Sequence, residues 1–183
     1  METYKLTNGK TLEVTQDDYP YNPRHDENLS TMICFHNRYS LGDNHNYKHQ
    51  DYSGWAEMET AIIKNEKPAV ILPLYLYDHS GITISTSPFS CRWDSGQVGF
   101  IFISKEKLRD EFSVKRITKK EIDRATKILL SELDTYDNYI RGEVYGYILL
   151  DENGEVEDSC GGFIGSDIKT NGILDSVGAE VIG

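Results

Sequence analysis

The sequence predicts an α+β fold: a single domain over residues 1–183, a largely antiparallel sheet with hairpins at its N- and C-terminal ends, and two to three helices packed on it. Three observations carry this. Asn-Gly pairs at 8–9 and 153–154 sit between strand-like runs near the two ends of the chain. Apolar runs at AVILPLYLY and QVGFIFIS lie between them without the regular βαβ alternation of a doubly wound sheet. Two stretches, SGWAEMETAIIKNEK and the one starting at Thr118, repeat apolar residues at helical spacing.

The elements follow in chain order. TYKLTNGKTLEVT makes the opening hairpin, because both Asn8 and Gly9 tolerate the positive φ that a two-residue turn needs. DDYPYNPRHDEN is a loop, and LSTMICFH is a strand. NRYSLGDNHNYKHQDYSG is too polar and irregular for regular structure, and long loops of this kind often carry function. Trp55, Met58, Ala61 and Ile62 mark a three-turn helix with Ser53 as N-cap and Pro68 beyond its end. AVILPLYLY reads as a strand buried on both faces, except that Pro73 would remove a ladder hydrogen bond and so demands an edge position or a bulge.

GITISTS is a shorter strand, and QVGFIFIS a further apolar one ahead of a basic helical segment near Lys105. T-K-K-E at 118–121 is a capping box, and Ile122, Ala125, Leu129, Leu133, Tyr136 and Ile140 follow as one stripe until Arg141-Gly142 ends the helix. YGYILLDENGEVEDSCGGFIG closes with the second hairpin, and NGILDSVGAEVIG holds a short helix. No internal repeat or low-complexity segment interrupts the pattern.

Charge is unevenly spread. The formal net charge is −11 from 30 acids and 19 bases. From Asp151 onward eight acids face one base, Lys169, while between Ser104 and Lys127 nine bases face five acids. Acidic proteins repel nucleic acid but attract proteins that hold phosphate backbones; solubility alone is the plainer reading. The opening METYKLTNGK has no apolar run of a secretory leader, no stretch reaches the ~18 apolar residues of a membrane helix, and three widely spaced cysteines suit free thiols in a reducing compartment. The expectation is a soluble protein of the bacterial cytoplasm.

Candidate chemistry concentrates in three places. In YDHSGITISTSPFSCRWDSGQVGF, Cys91, His79 and Asp78 supply the residue types of a cysteine nucleophile, its base and an orienting acid. Adjacent residues in a strand point to opposite faces, however, so Asp78 could not readily orient His79, and the alternative is a polar connection built from turn-forming Ser and Gly. His36, His45 and His49, with Asp43 nearby and His25, Cys34 and Asp51 in the same interval, form a candidate metal set, although neither a C-x-x-C pair nor an H-E-x-x-H helix is present. Lys115, Arg116, Lys119 and Lys120 cluster at a helix start, where cations oppose the macrodipole; this fits either phosphate contact or a solvated mixed face. No cofactor motif is found.

ICFHNRYSLGDNH, then ILPLYLYDHSGITISTSPFSCRWDSGQVGFIFIS, then ELDTYDNYIRGEVYGYILLDENGEVEDSCGGFIG resemble a family of small proteins carried by bacteriophages and mobile elements, mostly of Gram-positive bacteria. The resemblance spans most of residues 30–165, and its motifs are not those of a named enzyme class. It implies an anti-CRISPR protein that binds a Cas9-type nuclease stoichiometrically. Asp151, Glu152, Glu155, Glu157 and Asp158 would then steer association, Tyr145 and Tyr147 would serve as aromatic anchors, and DNA contact through the basic segment is also allowed. A small hydrolase or modifying enzyme using Cys91 and His79, or a DNA-binding accessory protein, are the alternatives.

Overall fold

The computed structural model describes residues 1–182. Its elements run β1 (Glu2–Lys5), β2 (Thr11–Gln16), β3 (Thr31–Cys34), α1 (Trp55–Glu66), β4 (Pro68–Asp78), β5 (Ile82–Ser85), β6 (Ser95–Ser104), α2 (Lys105–Phe112), α3 (Lys119–Ile140), β7 (Val144–Leu150), β8 (Val156–Ile164) and α4 (Ile173–Val177). Every strand pairing is antiparallel, and the strands divide between two four-stranded sheets, so the α+β class is as expected. The chain forms two compact units: a terminal unit of Met1–Pro23 with the chain from Asn138 onward, and a central unit of Arg24–Asp137.

In the terminal unit the two Asn-Gly hairpins share one sheet, in the order β1-β2-β7-β8. Both pairs do turn the chain, but not as the expected two-residue turns: Gly9 and Gly154 take φ of +86° and +84° while Asn8 and Asn153 do not take positive φ, and each loop is closed one residue further on, by Leu6 N donating to Lys10 O and Asp151 N to Glu155 O. Alternation along β2 and β7 points Leu12, Val14, Tyr147 and Leu149 to one face, where they pack with Leu6, Ile168 and Ile173. The β1 edge is tied to the C-terminal segment, with Thr7 N donating to Glu180 O at 2.9 Å and Ile182 N to Lys5 O at 2.8 Å. The other edge strand, β8, has a partner on one side only, and Val156–Gly162 are all exposed.

The central sheet is ordered β3-β6-β4-β5. On one face Ile33, Phe100 and Phe102 pack against Met58 and Ile62 of α1. The opposite face carries Met32, Leu74, Ile101 and Ile103, all fully buried. Helix α3 buries Ala125, Leu129, Leu133 and Tyr136, the expected stripe, and leaves Ile122 exposed at its first turn. Its start shows one half of the expected box: Glu121 reaches back to accept from Thr118 N at 2.9 Å, and the Thr118 hydroxyl donates to the same carboxylate.

Two local expectations are corrected. Ser53 does not cap α1; Gly54 occupies that position, and Ser53 instead gives its N–H and its hydroxyl to the Glu57 carboxylate, both at 2.7 Å. The acid inside the helix thereby fixes the residue ahead of it, and no side chain caps the first turn. AVILPLYLY is not buried on both faces, since only Leu74 and Leu76 of β4 are. The reason is β5, which pairs only with Tyr75–Asp78 and leaves the outer edge of the preceding residues without a strand. That open edge is what lets Pro73 sit in the ladder, and a register shift follows it at Leu74/Tyr75.

Candidate functional site

The acidic hairpin is built by its own carboxylates. Asp151 accepts from Asn153 N and Glu155 N, both at 2.8 Å, and its carboxyl is held below the usual carboxylate range, first by the Glu155 amide. Asp158 accepts from Ser159 N at 2.8 Å and from the Tyr147 hydroxyl at 2.7 Å, which pushes the Tyr147 phenol up to about 12. Glu157 pairs with Lys10 at 2.6 Å. The structure therefore divides the predicted set. Glu152, Glu155, Glu157 and Asp158 are exposed, Asp151 shapes the turn, and Tyr147 lies 5% exposed in the core with Tyr145 packed partly against it. The acids, and not the tyrosines, form the outer surface of this hairpin.

The charge imbalance seen along the sequence becomes an imbalance between units. The terminal unit holds thirteen acids and four bases, for −9, whereas the central unit holds seventeen acids and fifteen bases, for −2. Within the central unit Lys115 and Arg116, on the turn between α2 and α3, and Lys119 and Lys120, the first residues of α3, are all exposed, with no ion pair among the described residues. Ser113 in the left-handed region, φ +51°, ends α2, and Arg124 stacks over Phe112 at 4.2 Å from the ring centre.

The stretch from 77 to 100 does not assemble a nucleophile, base and orienting acid. Asp78 and His79 go to separate partners, with His79 just beyond the end of β4: Asp78 takes the Arg38 guanidinium and lies 3.9 Å from His36, whereas His79 Nδ1 lies 3.2 Å from Asp94. Cys91 Sγ also meets Asp94, at 3.6 Å, so a carboxylate stands where a catalytic imidazole would be needed. Asp94 is the hub of this loop, and its role was not legible because an acid three residues before QVGF reads as an ordinary turn residue. Ser80 and Gly81, at φ +57° and +149°, make the turn between β4 and β5, and Ser95 donates to Cys91 O. Trp93 stands 96% exposed at the tip of this pinned loop.

The histidines go to separate partners. His36 stacks on Tyr39 with ring centres 5.0 Å apart, His45 Nε2 lies 3.1 Å from Cys34 O, and His49 meets the edge of Trp55 at 5.0 Å. Asp43 is taken by Arg24 and by Met32 N. Among the described residues no group of three or more His, Cys, Asp or Glu side chains could hold a metal ion. These residues instead line an open hollow of about 670 Å³ with Phe35, Tyr39 and Trp55.

Comparisons with protein-family models, with curated proteins and with solved structures found no match. Function is therefore argued from the chemistry of this chain. No helix among the described residues is long and apolar enough to cross a membrane.

The three thiols differ enough to be distinguished in solution. Burial pushes the Cys34 thiol up to about 12, whereas Cys91 is half-buried and Cys160 exposed. At pH 8 a thiol with that pKa is thiolate about one part in ten thousand of the time, and the thiolate is the nucleophile. With a chromogenic disulfide reagent, Cys160 is expected to react first and Cys34 only on unfolding. Three thiols reacting at one rate in the native protein would contradict this burial.

Proposed function

We propose that the protein is an anti-defence protein of a bacteriophage or mobile element, which binds a Cas9-type CRISPR nuclease stoichiometrically in the bacterial cytoplasm and blocks it. The observation that carries this reading is the concentration of negative charge in the terminal unit, with an exposed acidic hairpin at one end of its sheet. Nucleases of this type hold a guide–target heteroduplex in a positively charged channel, and an acidic surface is attracted to such a channel as the phosphate backbone is. Cys91 meets the Asp94 carboxylate and not an imidazole, and this favours binding over catalysis.

The test is titration of the purified protein into a guide-directed cleavage assay, with co-elution on size exclusion. Inhibition that saturates near one equivalent, together with a complex, is expected; full-strength cleavage and no complex would refute it. Glu152→Ser with Glu155→Ser removes exposed charge without touching the turn-forming Asp151. It is expected to slow association about tenfold at low salt and to flatten its salt dependence. An unchanged rate would remove the hairpin from the encounter.

The exposed bases at 115–120 favour a second reading, in which the central unit contacts duplex DNA. A mobility shift at low salt that is lost on Lys119→Ala with Lys120→Ala would support it, and no shift at low salt would dismiss it.

A further inference from the structure

The terminal unit contains a hollow of about 600 Å³ lined by none of the candidate site residues, walled by Tyr4, Ile168, Leu174 and Val181 and rimmed by Asp167, Glu180, Ser166 and Lys169. Its apolar wall is fixed from behind. Ile168 and Ile173 are buried in the unit's core, Val181 bridges to Leu6, and the hydrogen bonds of Thr7 and Ile182 tie this segment to β1. The rim is acidic: Asp167 and Glu180 line it, and the Tyr4 hydroxyl donates to the Glu2 carboxylate beside it. The Tyr4 phenol is raised, first by that hydrogen bond and also by burial and the charges of Glu2 and Asp167.

We infer that this hollow receives an arginine side chain of a protein partner. An apolar wall under an acidic rim matches a side chain whose three methylenes pack on apolar surface while its head stays charged. Arginine fits better than lysine, because a planar guanidinium can donate to several acceptors at once and is the more weakly hydrated cation. The volume is within the range of ligand pockets and larger than one side chain needs, which leaves room for the backbone that carries it. Lys169 lines the same hollow and is the only base beyond Asp151, so it competes with an incoming cation. The inference rests on the terminal unit being the partner-facing one, but not on the partner being a nuclease.

N-acetyl-arginine amide is titrated into the full-length protein at low ionic strength and followed by amide chemical shifts, with N-acetyl-norleucine amide as the neutral control. Saturable shifts at Tyr4, Ile168, Leu174 and Val181 are expected, with a Kd on the order of 1 mM, as suits a contact of about ten heavy atoms. The neutral probe is expected to bind about tenfold more weakly. Asp167→Asn with Glu180→Gln should erase that difference, and Lys169→Ala should tighten arginine binding severalfold, with the spectra reporting that each variant remains folded. Equal binding of the two probes, no saturable shift, or no gain in Lys169→Ala overturns the inference. Saturable arginine binding in a protein that leaves nuclease cleavage untouched would uphold it while rejecting the proposed partner.

Discussion

Gly99→Ala is expected to unfold the central unit. Gly99 lies in β6 between two partners, opposite Cys34 of β3 and Leu74 of β4. A Cβ built there falls well inside contact distance of Ile33 O, with Ile33 C at 2.9 Å and Cys34 Cα at 3.0 Å. These are backbone atoms of the neighbouring strand, so no rotamer change relieves the clash; β3 must move away from β6. That motion separates Ile33 from Phe100 and opens the cluster they form with Met58 and Ile62. Alanine is the better strand residue by about 0.5–1 kcal/mol on backbone entropy, but the steric cost of moving a strand is larger, on the order of 4 kcal/mol or more. Against a total stability of about 5–15 kcal/mol, that leaves the unit marginal or unfolded. Gly96→Ala is the control, because nothing lies within 4 Å of its added Cβ and its φ is not positive; it should stay within about 0.5 kcal/mol of the parent. Urea denaturation followed by far-UV circular dichroism measures both, and equal midpoints would show that β3 and β6 do not approach this closely.

The contrast between these two glycines marks where sequence reasoning stops. Both sit in the run SGQVGF, and nothing local distinguishes them; the difference is which strand lies alongside. Signals that act within a few residues were legible: the place of the Asn-Gly turns, the Glu121 half of the Thr118–Glu121 box, the stripe of α3, and the strain that Pro73 imposes. Pairing was not, because a hairpin at each end of the chain is compatible with one sheet or two, and period-2 alternation says nothing about the identity of the neighbouring strand. Nor could the sequence show that the first and last segments form one unit and carry most of the negative charge.

The same limit applies to the candidate sites. That Asp78 would not orient His79 was expected from strand geometry, and the two go to separate partners. That Asp94 would collect both His79 and Cys91 depended on the loop's path, which no spacing rule supplies. The histidine-rich interval looked metal-like by composition, but aromatic rings and backbone carbonyls take up its imidazoles. Of the predicted anchors, Tyr147 has the periodicity of a core residue, alternating with Leu149, and that pattern could have been weighed against the anchor role.

Glu132→Ala is expected to cost about 3–5 kcal/mol, although on the sequence Glu132 is one acid among several on an amphipathic helix. Its carboxylate accepts from Leu29 N at 2.7 Å, Ser30 N at 2.9 Å and the Ser30 hydroxyl, and lies 3.7 Å from Arg24 Nη1. The Arg24 side chain is 2% exposed and is gripped from the other side by Asp43 at 2.8 and 2.7 Å. One buried cation is thus shared by two carboxylates, and the same contacts hold the 24–30 segment against α3. Truncation to alanine leaves two backbone N–H groups without their acceptor and takes a carboxylate from beside Arg24, and the cost of unmet buried donors exceeds the net worth of the bonds themselves. Glu132→Gln keeps one acceptor oxygen but replaces the other, which also accepts here, with an NH2 donor, so it loses the charge and one acceptor and should cost less than alanine, about 1–3 kcal/mol. Chemical denaturation of the two variants separates the explanations: if glutamine is as damaging as alanine, the charge and the second acceptor oxygen carry the effect and one acceptor alone does not rescue it; if both stay within about 0.5 kcal/mol of the parent, the network is not what fixes the 24–30 segment to the helix.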